Sequence, residues 1–433
     1  MYYIYEILYK ILHIIRKYSW YFTYKTLDFL SYSHDSIFVI LIVFIILLVA
    51  YIYIKYPFWC RQPVFHTYDY WRYLYKNPFI VYKHGPIKTK HCDFTNIKTY
   101  KYSDISESQK DILVNLLQCY YIPSERVLMV ITKNVVDLYF NGHNEPSFVS
   151  YYQEIPKIKE EEKQPIIGVI TSRPFNIFYI HNDTYVFMNA YYIDNICVHR
   201  NFKPTKNLGR NLLQTHEYNQ RLLNPKIQIS FIKSEVELYD GVIPLVQYNT
   251  YTFYLRNIKL PRLPPHVVIV RIYQENKDII TEFLQGISNP KIPLFGFCAI
   301  PDTGSIISMI QSNLLYVFCV RYEKNILGYY FFKDANIQYE DIDGDTLQFV
   351  ASYCNTKSTD LFYSGFLHSI RSILKIKKGF KMLLFESISH NHIILNKWLD
   401  KHHIIFNNKT SYNTFNFIYP KSPINSSQCF FLV

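Results

Sequence analysis

The sequence has little glycine, only 12 residues in 433. With 20 Pro as well, collagen-like and low-complexity classes are excluded. Charge is also scarce, at 18% of residues against 49% hydrophobic, which excludes a disordered chain. Acidic residues are the scarcer kind, 34 against 46 basic, and the net charge is +12. That balance fits an anionic partner: nucleic acid, membrane headgroups or a phosphate-bearing cofactor. Because the basic residues are dispersed and form no nucleic-acid module, no nucleic-acid partner is expected. Closely spaced cysteines are missing too. Cys60, Cys92, Cys119, Cys197, Cys298, Cys319, Cys354 and Cys429 include no CxxC pair, so neither a zinc site nor a disulfide framework is indicated. They read as free thiols in a reducing compartment. His181, His199 and His216 are not spaced as ligands, and His390 and His392 have no fitting third partner nearby, so no metal is expected.

What is present begins with one long apolar run, Ile37–Ile54 (IFVILIVFIILLVAYIYI). At about 1.5 Å per residue it spans roughly 27 Å, most of a bilayer core. It starts too late and runs too long for an ordinary cleaved signal peptide. Tyr51, Tyr53 and Tyr56 with Lys55 suit one interface. Residues 1–36 are aromatic and mildly basic, as in a helix lying in the headgroup plane. Arg16, Lys17 and Lys25 before the run balance Lys55, Arg61 and Arg72 after it, so loop charge does not set the orientation. The cysteine usage favours a single-pass membrane protein with its globular part facing the cytosol.

Beyond the run, Ser106–Cys119 predicts an amphipathic helix capped by Ser106 or Ser108. Lys157–Lys163 reads as a solvated loop. Strands are predicted at Ile166–Thr171, Tyr185–Asn189 and Tyr191–His199, then a basic turn Arg200–Arg210, a helix Asn211–Leu223 and a strand Gln228–Ile232. A similar order follows later: a hairpin Leu314–Tyr322 and Ile326–Phe332, and a strand Leu347–Tyr353. A helix at about Asp360–Lys377 with Gly379 as its C-cap, a strand Lys381–Glu386 and a helix His390–Asp400 complete it. The alternation predicts an α/β or α+β fold with a mixed sheet.

The basic turn carries Arg200, Lys203, Thr205, Lys206, Gly209 and Arg210 just before a helix start. Helix N-termini offer N–H groups and a positive dipole end, which suits a pyrophosphate.

Several segments, in order, resemble N-myristoyltransferases. Tyr56–Val64 (YPFWCRQPV) is similar to that family's FWxTQPV. Ile167–Ile177 (IGVITSRPFNI) resembles VGFISAIPANI, and Ile193–His199 (IDNICVH) resembles INFLCVH. The basic turn stands where the family has RSKRxAP. Gly241–Pro244 resembles part of GVVLP, with Arg256 at the Arg of YWHRSLN. Leu347–Asn355 resembles LKAAYSFYN and Lys378–Phe385 resembles KGFDVFNA. The resemblance runs from about Tyr56 to Val433.

The resemblance implies two fused acetyltransferase-like halves in a saddle-shaped mixed sheet. The expected division is residues 1–36, a transmembrane helix 37–54, an acyl-CoA-binding half 55–250 and a peptide-binding half 251–433. It implies transfer of myristate from myristoyl-CoA, the acyl-donor substrate, to the N-terminal glycine of proteins, with no permanently bound cofactor. Backbone N–H groups at Asn195 and Ile196 would polarise the thioester carbonyl. The carboxylate of Val433, at the end of the apolar tail Cys429–Val433, would be the base. Phe58, Trp59, Cys197, Val198, Lys203, Thr205, Lys206, Asn207 and Leu208 would hold the coenzyme. Departures fall on the peptide side. Arg61 replaces the Thr of FWxTQPV, Leu255 the His of YWHRSLN, and Phe406-Asn407-Asn408-Lys409 the glycine-rich acidic loop FGDGNL. They set a second expectation beside the first: a catalytically impaired relative that binds acyl-CoA or peptide at the membrane.

Overall fold

The computed structural model describes residues 34–70, 74, 77–122, 124, 126–153, 165–182, 184–200, 207–235, 241–256, 258–289 and 293–432. The N-terminal segment before residue 34 and the Lys157–Lys163 loop lie outside them. The described residues up to Arg61 and those from Gln62 on form two compact units.

The first unit holds a helix at His34–Lys55. Its stretch Ile37–Lys55 is the one helix among the described residues long and apolar enough to cross a membrane. Its large side chains are exposed along nearly the whole length, from Ile37 to Ile54. A buried core helix would hide such side chains.

The second unit is a mixed α/β body around one large sheet. Among the described residues the sheet runs in the order Cys429–Phe431, Phe297–Ile300, Ile166–His181, Thr184–Val198, Ser230–Ser234, Phe406–Phe415, Val246–Tyr254, Phe380–Glu386, Ile342–Cys354, Asn325–Tyr339, Leu315–Tyr322, Val267–Arg271. Three short strands pair off this path. One unit is built twice. The hairpin Ile166–His181/Thr184–Val198 leads through the helix Leu208–Leu223 to Ser230–Ser234, which lies parallel to the second hairpin strand. The hairpin Asn325–Tyr339/Ile342–Cys354 leads through the helix Thr359–Ile376 to Phe380–Glu386, parallel in the same way. The outer neighbours are exchanged. The early strand Val246–Tyr254 pairs with Phe380–Glu386, and the late strand Phe406–Phe415 pairs with Ser230–Ser234. The two exchanged strands pair with each other and close the sheet across the middle.

Local chemistry explains most element ends. Ser106 accepts the Gln109 N–H and the Gln109 side chain returns to the Ser106 N–H, which starts the helix Glu107–Tyr120. The predicted strands Tyr185–Asn189 and Tyr191–His199 are one strand, because Ala190 pairs with Phe175 and is fully buried. The predicted strand Ile166–Thr171 runs on to His181, through Pro174. Tyr191, opposite Pro174, sends its N–H the other way, to Ile229 O. Pro174 therefore sits in a pair that exchanges no hydrogen bonds, and its nitrogen faces a gap. There pairing with the strand Phe148–Gln153 stops at Ser172, and pairing with Phe297–Ile300 starts at Asn176. Gly379 is not the C-cap predicted for it. The helix stops at Ile376 with an extended Lys377, and Gly379 instead passes close to Asp345, whose N–H it accepts at 2.8 Å.

Candidate acyl-transfer site

In each half the parallel pairing stops early, and a bulge follows at once. In the first half the last parallel pair is Ile193↔Ile232. The hairpin register then slips between Thr171↔Asp194 and Val169↔Cys197, so Asn195 and Ile196 together oppose Ile170. Asn195 adopts φ +45°, a left-handed conformation that Asn tolerates better than most residues. In the second half the last parallel pair is Phe349↔Phe385, and the register slips at Val350.

The two splayed openings differ in what fills them. In the second half, the Ser352 N–H donates to Ser389 Oγ at 3.2 Å and the Cys354 N–H to His390 Nδ1 at 2.8 Å. Side chains of the protein close that slot. In the first half the slot opens onto a cavity of about 110 Å³, lined by Tyr139, Tyr192, Asp194, Asn195, Lys233, Glu235, Lys333 and Gln348 among others. Two larger cavities lie elsewhere. One, of about 630 Å³, includes Gly296, His390 and Lys421; the other, of about 610 Å³, includes Arg256, Lys259, Lys401 and His403. Neither reaches the bulge, so size alone does not locate the chemistry.

Charge is concentrated around the small cavity. Lys233 Nζ lies 2.7 Å from Glu386 Oε1, and Tyr248 donates to Glu386 Oε2 at 2.8 Å. Gln348 donates to the same carboxylate. Burial disfavours the Lys233 ammonium, but Glu386 and Glu235 outweigh it and raise its pKa. Lys333 goes the other way. Burial first, then the Arg173 guanidinium, push it down to about 7, with Asp194 opposing. Burial raises the Tyr139 and Tyr192 phenols, so both stay neutral.

The expected site residues divide into groups. Asn195 lines the cavity, and its backbone N–H donates to Asp194 Oδ1 at 3.0 Å. Ile196 completes the bulge and is half-buried. Cys197 turns inward, with its thiol against Leu116 O at 3.2 Å, and Val198 is a buried strand residue opposite Gly168. Asn207 and Leu208 open the helix Leu208–Leu223, which starts three residues before its predicted first residue. Asn207 is left-handed at φ +51° and its side chain does not cap the first turn. Leu208 points into the core, and space is open where a Cβ on Gly209 would stand. Lys203, Thr205 and Lys206 lie outside the described residues, as does Val433. The tail leading to Val433 is described and fully buried. Cys429–Phe431 runs parallel to Phe297–Ala299, and the Leu432 N–H donates to Ala299 O at 3.0 Å. Phe58 and Trp59 belong to the other unit, where Phe58 is buried and the two rings meet edge-on at 4.9 Å.

Sequence reasoning missed Asp194, Arg173, Lys233, Lys333 and Tyr139. Asp194 and Arg173 lie inside motifs that were matched, but as departures from them. Tyr139 and Lys333 carried no local signal, because only tertiary packing brings a residue of the helix Lys133–Phe140 and one of the strand Asn325–Tyr339 to the same cavity.

A doubled hairpin–helix–parallel-strand unit with exchanged outer strands and one open bulge defines a two-half mixed α/β fold. It is the fold of N-myristoyltransferase. One crystal structure of Saccharomyces cerevisiae N-myristoyltransferase with bound myristoyl-CoA is similar at a TM-score of 0.63 and 13% identity, over 86% of this chain and 94% of that one. A second has a TM-score of 0.64 at 13% identity, over 86% and 89%. A third, with bound myristoyl-CoA and inhibitors, has a TM-score of 0.62 at 13% identity, over 86% and 91%. No family model and no curated protein sequence matches the chain.

Proposed function

We propose that the chain is a membrane-tethered acyltransferase that moves myristate from myristoyl-CoA to the N-terminal glycine of protein substrates. The observation that carries this reading is the open bulge at Asn195–Ile196, within a fold shared with an enzyme that binds myristoyl-CoA. The solved structures with 13% identity support the fold; the activity is our inference from the site.

In this reading the neutral glycine amine attacks the thioester carbonyl. A C–N bond forms, the C–S bond breaks, and the second proton of the amine passes to the departing sulfur, so coenzyme A leaves as its thiol. Backbone N–H groups of the bulge stabilise the oxyanion, as preorganised donors do. The uncapped start of the helix Leu208–Leu223 receives the pyrophosphate, with the basic turn before it. The carboxylate of Val433 takes the ammonium proton, which the burial of the tail up to Leu432 supports. The helix His34–Lys55 spans the membrane and keeps acylation beside the surface that receives the product.

A second reading has one observation in its favour. The Asn195 N–H already donates to Asp194 Oδ1. If that bond persists with substrate bound, one oxyanion donor is lost. The chain would then bind acyl-CoA without efficient turnover.

The test uses the full-length chain in detergent, myristoyl-CoA and a panel of glycine-starting peptides. Release of free coenzyme A is followed. The enzyme reading expects peptide-dependent release that an extension after Val433 abolishes. Binding of myristoyl-CoA without release would establish the second reading.

A further inference from the structure

The cavity of about 610 Å³ in the second half is lined by three cations, Arg256, Lys259 and Lys401, together with His403. Among the described residues no aspartate or glutamate lines it. Three parts of the fold meet there, and each is anchored through its backbone. Arg256 follows the strand Val246–Tyr254, and the Leu255 N–H beside it donates to Lys381 O at 2.8 Å. The segment with Lys259 is held against the helix Thr359–Ile376, where His368 Nε2 donates to Pro261 O at 2.9 Å. Lys401 and His402 turn off the end of the helix Asn391–Leu399, and both backbone N–H groups donate to Trp398 O at 3.1 Å.

The three cationic side chains make no hydrogen bond and no ion pair among the described residues. Two of them lie on tyrosine faces: Arg256 Cζ is 4.4 Å from the Tyr254 ring centroid, and Lys401 Nζ is 5.4 Å from that of Tyr363. Such contacts steady the stems and leave the N–H groups open. The Asp360 carboxylate pairs with Lys397 instead, which with a lesser pull from Lys401 holds it below the usual carboxylate range. A concavity with charge of one sign focuses a positive field. A carboxylate would occupy the guanidinium fork and leave two ammonium groups unmatched. A phosphate monoester carries nearly two negative charges and three acceptor oxygens, enough for the fork and both lysines. The cavity is much larger than a phosphate group and has the size of a small-molecule site. Ile258, Leu367 and the two tyrosine rings give it an apolar side for the body that bears the phosphate.

We infer that Arg256, Lys259 and Lys401 form a binding site for a phosphate monoester borne on a larger, partly apolar ligand. Two sources offer this chemistry: a lipid headgroup, or a soluble phosphorylated molecule. The site shares no lining residue with the cavity at the bulge, so the inference does not rest on the acyl-transfer reading.

The test is calorimetric titration of the full-length chain in detergent, with myristoyl-CoA saturating so that the coenzyme's own phosphate contacts are filled. The probes are glycerol 3-phosphate, dihexanoyl phosphatidic acid and phosphate-free dihexanoylglycerol. Arg256 and Lys401 are exposed, so Arg256→Gln and Lys401→Gln should melt with the native chain. Each should weaken binding of the phosphate probe by about tenfold, and added salt should weaken it in the native chain. If the source is a lipid, phosphatidic acid binds at least about tenfold tighter than glycerol 3-phosphate. If it is soluble, the two bind alike. The proposal is overturned if neither phosphate probe binds the native chain, or if either substitution leaves the affinity unchanged. Dihexanoylglycerol binding as tightly as phosphatidic acid would overturn it too. The outcome does not depend on whether the chain transfers acyl groups.

Discussion

At residue 195 the strand adopts a conformation that side chains other than Asn, Asp and Gly enter at a cost of about 1–2 kcal/mol. Asn195→Gly should therefore keep stability and activity near the native level. Asn195→Val should lower the melting temperature and reduce turnover by an order of magnitude or more, since a β-branched residue pulls the bulge toward regular strand. Parallel calorimetry and coenzyme A release on the two variants check this.

Under the sheet, His216 lies between Ser150 Oγ at 2.8 Å and Ser172 Oγ at 2.9 Å, and burial lowers its pKa to about 3. Burial raises the neighbouring Glu217 to about 7, with Arg221 opposing. The two act in opposite senses. Below the ordinary histidine value, the unfolded chain takes a proton that folded His216 refuses, so stability falls as pH drops from about 6.5. Folded Glu217 keeps a proton that the unfolded chain has lost, so its contribution falls as pH rises from about 4.5 through 7. Between about pH 4.5 and 6.5 the slopes cancel. Measured by denaturant titration against the native chain, stability should tilt downward with rising pH in His216→Gln and upward in Glu217→Gln, each by about 1.4 kcal/mol per unit over that range.

The segment Asn195–His199 stood out in the sequence by its resemblance to a family motif, but the bulge inside it did not, since a register slip depends on the partner strand. Arg173 did not stand out either. A basic residue in a strand looks the same in sequence whether it meets solvent or three aromatic rings.

The elements differ in how much of them is local. The helix Glu107–Tyr120 was readable to within a residue, since its start is fixed by a capping box four residues long. The paired long strands were read short or in pieces, because their continuity depends on partners far away in sequence. Their unpaired sites can even hold a proline. Packing between elements has its own test. Gly365 faces the Tyr330 hydroxyl, which donates to Phe362 O at 2.7 Å, and a Cβ there would overlap the ring end. Gly365→Ala should push the helix Thr359–Ile376 off the second hairpin and cost about 1–3 kcal/mol in a denaturant titration. An unchanged midpoint would mean that this contact is looser than the structure has it.

At the scale of the whole molecule, the repeat of elements was visible in the sequence, but the exchange of strands between the repeats was not. Exchange pairs Val246–Tyr254 with strands far along the chain, and no local pattern encodes that. The long apolar helix adds a property that the globular unit does not need for its own packing, and it is the part of the account that the sequence stated most plainly.

The central claim is that the open bulge serves acyl transfer. The most direct measurement is the intact mass of a glycine-starting peptide after incubation with myristoyl-CoA and the full-length chain. The same peptide blocked by N-acetylation is the control. The account predicts one myristoyl adduct on the free peptide and none on the blocked one. An unmodified free peptide, under conditions where the chain binds myristoyl-CoA, would contradict it.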